Sequence, residues 1–138
     1  MKKDLLFFLL FLLPIISRAQ QWEILASEQQ IASEVSNYTH ITTHLDGSIT
    51  IPYVVYTESG VAKVKKFDGE SWVAVGDNVS SATVTYTRIY ADENGKLYVT
   101  YVDASNGNRL AIKTYNDVTQ TWQPVNGDEN NLYLSAET

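Results

Sequence analysis

Trp22, Trp72 and Trp122 stand fifty residues apart, and each opens a short run of similar type: WEILA, WVAVG and WQPVNG. Between them a second register holds at a constant offset of 48 residues from Tyr38–Phe67 to Tyr86–Tyr115. Tyr38-Thr39 matches Tyr86-Thr87, Ile41 matches Ile89, Gly47 matches Gly95, Tyr53-Val54 matches Tyr101-Val102, and Val64-Lys65-Lys66-Phe67 matches Ile112-Lys113-Thr114-Tyr115. A fixed period of this length marks architectures in which one unit cannot bury its apolar face alone and must stack on its neighbours. The repeat therefore limits the chain to a small set of stacked folds.

Turn chemistry says what each unit contains. Asp46-Gly47 and Asn94-Gly95 occupy equivalent places and favour two-residue hairpin turns, because both central residues tolerate positive φ. Ser59-Gly60, Asp68-Gly69, Asn106-Gly107 and Asn126-Gly127 punctuate the remaining joins at the spacing of short antiparallel strands. The spacing predicts strands over 38–45, 48–57, 61–67 and 71–76 in the first unit, and over 84–91, 96–104, 109–116 and 121–126 in the second. An extra strand is expected at 22–26. Helical periodicity is faint and confined to 27–34. The expected fold class is all-β.

The N-terminus reads as an export signal. Lys2-Lys3 precedes an unbroken apolar run from Leu5 to Leu13, too short for the ~20 residues of a spanning helix. Ser17-Arg18-Ala19 offers small residues where a signal peptidase inspects the chain, so residues 1–19 are expected to leave and Gln20 to begin the mature protein. The chain has no cysteine, which excludes both a lipid-modified N-terminus and any disulfide. Removing Lys2, Lys3, Arg18 and Asp4 leaves seven basic and fifteen acidic side chains, a formal charge of −8. Nucleic acid and anionic membrane surfaces are poor partners for such a chain, since both require a basic footprint. The one basic cluster, Lys63, Lys65 and Lys66, reads as an outer strand guarded against edge pairing.

Four short strands per unit with an aromatic in a fixed place is the pattern of a β-propeller blade. Tyr86-Thr87-Arg88-Ile89, Asp92-Glu93-Asn94-Gly95, Tyr98-Val99-Thr100-Tyr101, Lys113-Thr114-Tyr115 and Trp72-Val73-Ala74-Val75-Gly76 together resemble propeller repeats of secreted proteins from Bacteroidetes-type bacteria. The resemblance spans residues 22–138 and divides them into repeat 1 at 27–76, repeat 2 at 77–127 and the start of a third at 128–138. A fainter likeness, in IPYVVYTESGVAKVKKFDGESW, is to the two-blade fucose-binding lectins, whose short chains trimerise. This chain departs from them where the sugar is held. Lys65 or Lys66 stands in place of an acidic residue, and Val54 or Val55 in place of an arginine, so fucose binding does not carry over. One leading strand, two units and the fragment from Asn131 make a little over two blades, whereas closed propellers use about four to eight. Completion by further blades of a longer chain is the favoured expectation, and self-assembly as a homo-oligomer is the other.

Chemistry is sparse. His40 and His44, the only two histidines, would lie ~13 Å apart along a strand at ~3.3 Å per residue, too far for one zinc ion with nitrogen distances of ~2 Å. Asp92-Glu93-Asn94 lacks the further ligands of a calcium loop, so neither metal nor other cofactor is expected. Phe67-Asp68-Gly69-Glu70-Ser71-Trp72 is similar to the structural Asp-box of sialidases, with altered spacing, but no arginine cluster for a carboxylate substrate accompanies it. There is no phosphate loop and no serine elbow. A propeller enzyme acting on glycans and a purely structural set of blades are therefore secondary to a secreted or cell-surface binding module, non-catalytic, for a glycan or a protein surface. Nine tyrosines and three tryptophans supply rigid contact area for that role. Trp22, Trp72 and Trp122 are expected as structural anchors. Candidate ligand-binding residues are those where equivalent positions differ in chemistry, among them His40, His44, Arg88, Asp92 and Asp103. Asn37-Tyr38-Thr39 and Asn78-Val79-Ser80 fit the N-glycosylation pattern, relevant only in a host that adds such glycans.

Overall fold

The computed structural model describes residues 30–125, 127, 128 and 132–134. The leader, Trp22 and the strand expected at 22–26 lie outside these residues. The described chain forms eight strands: β1 (Ser36–Asp46), β2 (Ile49–Glu58), β3 (Val61–Phe67), β4 (Trp72–Ala74), β5 (Val84–Ala91), β6 (Leu97–Asp103), β7 (Arg109–Asn116) and β8 (Thr121–Pro124). They pair as two antiparallel meanders in sequence order, β1-β2-β3-β4 and β5-β6-β7-β8. Residues 30–34 contain no helix.

The repeat survives down to single backbone angles. Both first strands carry a bulge, between Asn37 and His40 in β1 and between Thr85 and Arg88 in β5. At its centre Tyr38 has φ 49° and Tyr86 has φ 52°, uncommon values for a bulky side chain. The two tyrosine rings lie 5.2 Å apart, so the strained positions meet each other. At the far side, Asp68 and Asn116 each use Oδ1 to accept from two backbone amides of the following loop. Each loop then delivers an indole beside the aromatic ring that precedes it. Phe67 and Trp72 are 5.7 Å apart, Tyr115 and Trp122 5.2 Å, at tilts of 51° and 49°.

The register is not gapless, however. Opposite His40 stands Val55, while opposite Arg88 stands Thr100, so β6 is displaced by three residues relative to the 48-residue offset. Tyr53 thus corresponds to Tyr98, and Tyr56 to Tyr101. The displacement comes from a shorter hairpin: β1 and β2 pair on from His40–Val55 to Asp46–Ile49, whereas β5 and β6 pair on from Arg88–Thr100 only to Ala91–Leu97, and the longer loop of the second unit makes up only part of the loss. In the first unit Gly47-Ser48 joins β1 to β2 directly, with Gly47 at φ 61°; the turn lies one residue later than Asp46-Gly47. In the second, Asp92 to Lys96 form a five-residue loop, with Asp92 Oδ1 accepting from the amides of Asn94 and Lys96. Asn94-Gly95 is therefore not a two-residue turn. The β6–β7 loop is longer than Ser59-Gly60 by the same three residues, which restores the offset.

The core is the space between the two sheets. Alternation sends Tyr53, Val55, Ala62, Val64 and Val75 from the first sheet to meet Ile89, Ala91, Leu97, Val99, Tyr101, Ala111 and Trp122 from the second. Two hydrogen bonds tie the sheets at opposite ends. Thr87 Oγ1 donates to the Tyr38 carbonyl, and Trp122 Nε1 donates to the Val75 carbonyl at 2.9 Å. Strand β3 pairs on both sides and is not an outer strand, so Lys63, Lys65 and Lys66 do not guard an edge. Leu132–Leu134, expected to begin a third unit, run beside β7, with Ala111 bridged to Tyr133. Segment 75–79 makes the equivalent contacts with β3 before β5 begins.

Candidate functional site

The five candidate residues fall in three places. His40 and His44 project from β1 into the space between the sheets. There His40 Nδ1 accepts from the Ile89 amide at 3.4 Å, and the His44 ring lies 2.8 Å from where a Cβ on Gly95 would stand. Both serve the sheet-to-sheet contact. Arg88 and Asp92 come together on the opposite side of the second sheet, where a shallow groove of about 450 Å³ is also lined by Tyr90, Tyr98, Thr100 and Ile112. Tyr90 is 62% exposed and sits 6.4 Å from Tyr98, ring to ring, with the Lys96 ammonium 5.7 Å from the Tyr98 centroid. Asp103 belongs to neither group. Its carboxylate accepts from the Ser105 amide and, at 2.7 Å, from the Tyr133 hydroxyl, whose ring also carries the Arg109 guanidinium at 4.2 Å. Asp103 thereby pins the segment following β8.

A second concavity, of about 660 Å³, was not legible beforehand. It lies where residues 76–78 bow away from β3, and its lining includes Tyr56, Glu58, Lys65, Asp77, Asn78 and Lys113. Lys65 and Lys113 are repeat equivalents from different sheets, and both reach this cleft. Their pairing was visible in the 48-residue register. The bow in the chain that separates them from Asn78 was not, because it follows from how β4 leaves β3.

Glu58 is the fixed point of the cleft. Oε1 accepts from the Ser33 amide, the Ser33 hydroxyl and the Glu34 amide, and Oε2 binds the Lys63 ammonium. The Lys63 bond, followed by the Ser33 and Glu34 bonds, pulls the Glu58 carboxyl down to about 2, while the same ion pair raises Lys63. Burial raises the Tyr56 hydroxyl, with the neighbouring Glu58 charge adding to it. Both oxygens of Glu58 are thus occupied, and the carboxylate is held ionised. Such a group can neither donate a proton as a general acid nor accept one readily near neutral pH. Among the described residues no group of three or more His, Cys, Asp or Glu side chains could hold a metal ion.

No protein-family model matches this sequence, and no curated protein or solved structure matches it either.

Proposed function

We propose that this chain is an exported, non-catalytic binding module built from propeller-like blades of the type its repeats resemble, and that the cleft beside β3 takes a glycan. The observation that carries the reading is the chemistry of that cleft. Amide, carboxylate, hydroxyl and ammonium groups converge there, and the most buried carboxylate is saturated by its own hydrogen bonds. Sugars present closely spaced hydroxyls, so a preformed cleft lined by polar groups matches them. The saturated state of Glu58 favours binding over glycoside hydrolysis, which needs one carboxyl kept protonated near neutral pH and a second nearby.

The two stacked meanders support the blade reading, since equivalent strands, bulges and aromatic pairs recur in each. Export rests on the leader at 1–19. The test is isothermal titration of the purified chain against panels of neutral and acidic oligosaccharides, repeated with Lys65→Ala, Asn78→Ala and Lys113→Ala. Binding that weakens at least tenfold in these variants, with circular dichroism unchanged, is the expected result. Binding that all three variants leave intact, or no binding across either panel, would overturn the assignment.

A further inference from the structure

Four pairs of equivalent residues in the two units differ sharply in exposure, and in the same sense. Ile89 is 3% exposed and its counterpart Ile41 is 58%; Ala62 is 0% and its counterpart Leu110 39%. Val75 is buried and Val125 exposed, while Trp122 is buried and Trp72 only partly so. In each pair the buried member points into the space between the sheets. The exposed member points outward from its own sheet. The side of the second sheet that carries Tyr90, Leu110, Ile112 and Val125 is therefore the same kind of surface that the first sheet presents inward. Likewise the outward side of β1, which carries Ile41 and Leu45, is the same kind of surface that the second sheet presents inward.

Two surfaces that are copies of the two sides of an existing contact fit each other. We infer that a second copy of this chain stacks head to tail on the first, its outward β1 strip seated in the groove formed by Arg88, Tyr90, Tyr98 and Ile112. The internal contact supplies the template. Thr87 donates to the Tyr38 carbonyl within one chain, so Thr39 of one copy faces the Tyr86 carbonyl of the next. Trp122 donates to the Val75 carbonyl, so Trp72 faces the Val125 carbonyl. The Tyr38 and Tyr86 rings, 40% and 64% exposed, have the same neighbour relation available between copies. One bond does not transfer. Arg88 stands where His40 accepts the Ile89 amide, and a guanidinium has no acceptor. On β2, Val54 and Tyr56 are already buried, which leaves the β1 strip as the contact edge. That strip is the part that matters most, because β1 and β5 are also the strands in closest apposition between the two sheets.

Head-to-tail contacts use two different patches on each copy, so they close a ring when the rotation permits. This inference does not depend on what the polar cleft binds. The test is the native mass of the purified chain by light scattering behind a sizing column, for the wild type, Ile41→Asp, Tyr90→Asp and an equimolar mixture of the two variants. Each substitution replaces an exposed apolar side chain, and circular dichroism checks the fold; Leu45→Asp and Leu110→Asp are the replacement pair. The expected result is a wild type of two to four copies, each variant alone reduced to single copies by at least a hundredfold loss of association, and a mixture giving one-to-one dimers. The mixture is decisive, since each variant keeps the patch that its partner has lost. A wild type that stays a single folded copy at about 100 μM would overturn the inference. So would single variants that still pair with themselves, or a mixture that forms no dimer.

Discussion

The contrast between Ile41 and Ile89 offers a controlled measurement, because the two isoleucines occupy the same place in the repeat and differ only in what covers them. Cutting isoleucine to alanine removes three carbons, about 2.4 kcal/mol of transfer free energy at about 0.8 kcal/mol each. Ile89 is 3% exposed inside the core, so the full transfer loss applies, and an unfilled cavity raises the cost to roughly 3–4 kcal/mol. Ile41 is 58% exposed, so less than half of the transfer term applies and water fills the space, leaving a cost of about 1 kcal/mol. Urea unfolding followed by tryptophan fluorescence reads the difference directly. With a slope of about 2 kcal/mol per molar, Ile89→Ala should lower the midpoint by roughly 1.5–2 M and Ile41→Ala by roughly 0.5 M. Both variants should be made in the Tyr90→Asp background, which keeps copies apart and holds Ile41 in one state. Equal shifts would refute the reasoning, since they would mean that the two sheets do not stack as described.

Trp122→Ala should cost about 3–5 kcal/mol in the same assay, because the indole is buried and its N–H is bonded to Val75, and Trp72→Ala, at its partly exposed position, should cost clearly less. Gly76→Ala should be more damaging than Gly47→Ala. Both have positive φ, but a Cβ on Gly76 would stand 2.7 Å from the Tyr115 ring and 2.8 Å from the Gln120 carbonyl, whereas Gly47 has open space. Glu58 predicts an acid limb in the stability profile. Its folded value of about 2 lies below the ordinary 4.5, so its contribution is complete above about pH 4.5 and disappears as pH falls towards 2. The urea midpoint of Glu58→Gln should therefore lie below wild type at pH 7, with the gap narrowing as pH falls from about 4.5 through 2. A gap that stays constant over that range would exclude the Glu58 contribution.

Most strand positions were legible because alternating side chains and Gly, Asn and Asp turns are local signals. The 48-residue register aligned β1 with β5 and β3 with β7 and paired Phe67 with Tyr115, and the fifty-residue spacing paired Trp72 with Trp122. The 48-residue register also set β6 three residues out of step with β2, because the shorter β5–β6 hairpin and the longer β6–β7 loop cancel, and matching Tyr53-Val54 with Tyr101-Val102 disguised the slip; the strand itself, expected over 96–104, lies at Leu97–Asp103. The candidate residues fared according to what the sequence could know. Arg88 and Asp92 do share a groove, since they lie four apart on one strand and its turn. His40 and His44 turned inward instead, and the cleft holding Lys65, Asn78 and Lys113 was missed, because it joins two sheets through a bend with no local signature.

The sequence alone determined the all-β class, the two four-strand units and the equivalence of their aromatic anchors, since each follows from short-range stereochemistry repeated at a fixed interval. Which member of each equivalent pair is buried depends on how the two sheets stack. Ile41 and Ile89 are the same residue in the same local pattern, and nothing within either unit tells them apart. The difference arises when one sheet covers the other, because stacking two identical units buries one side of each and leaves the complementary sides facing outward.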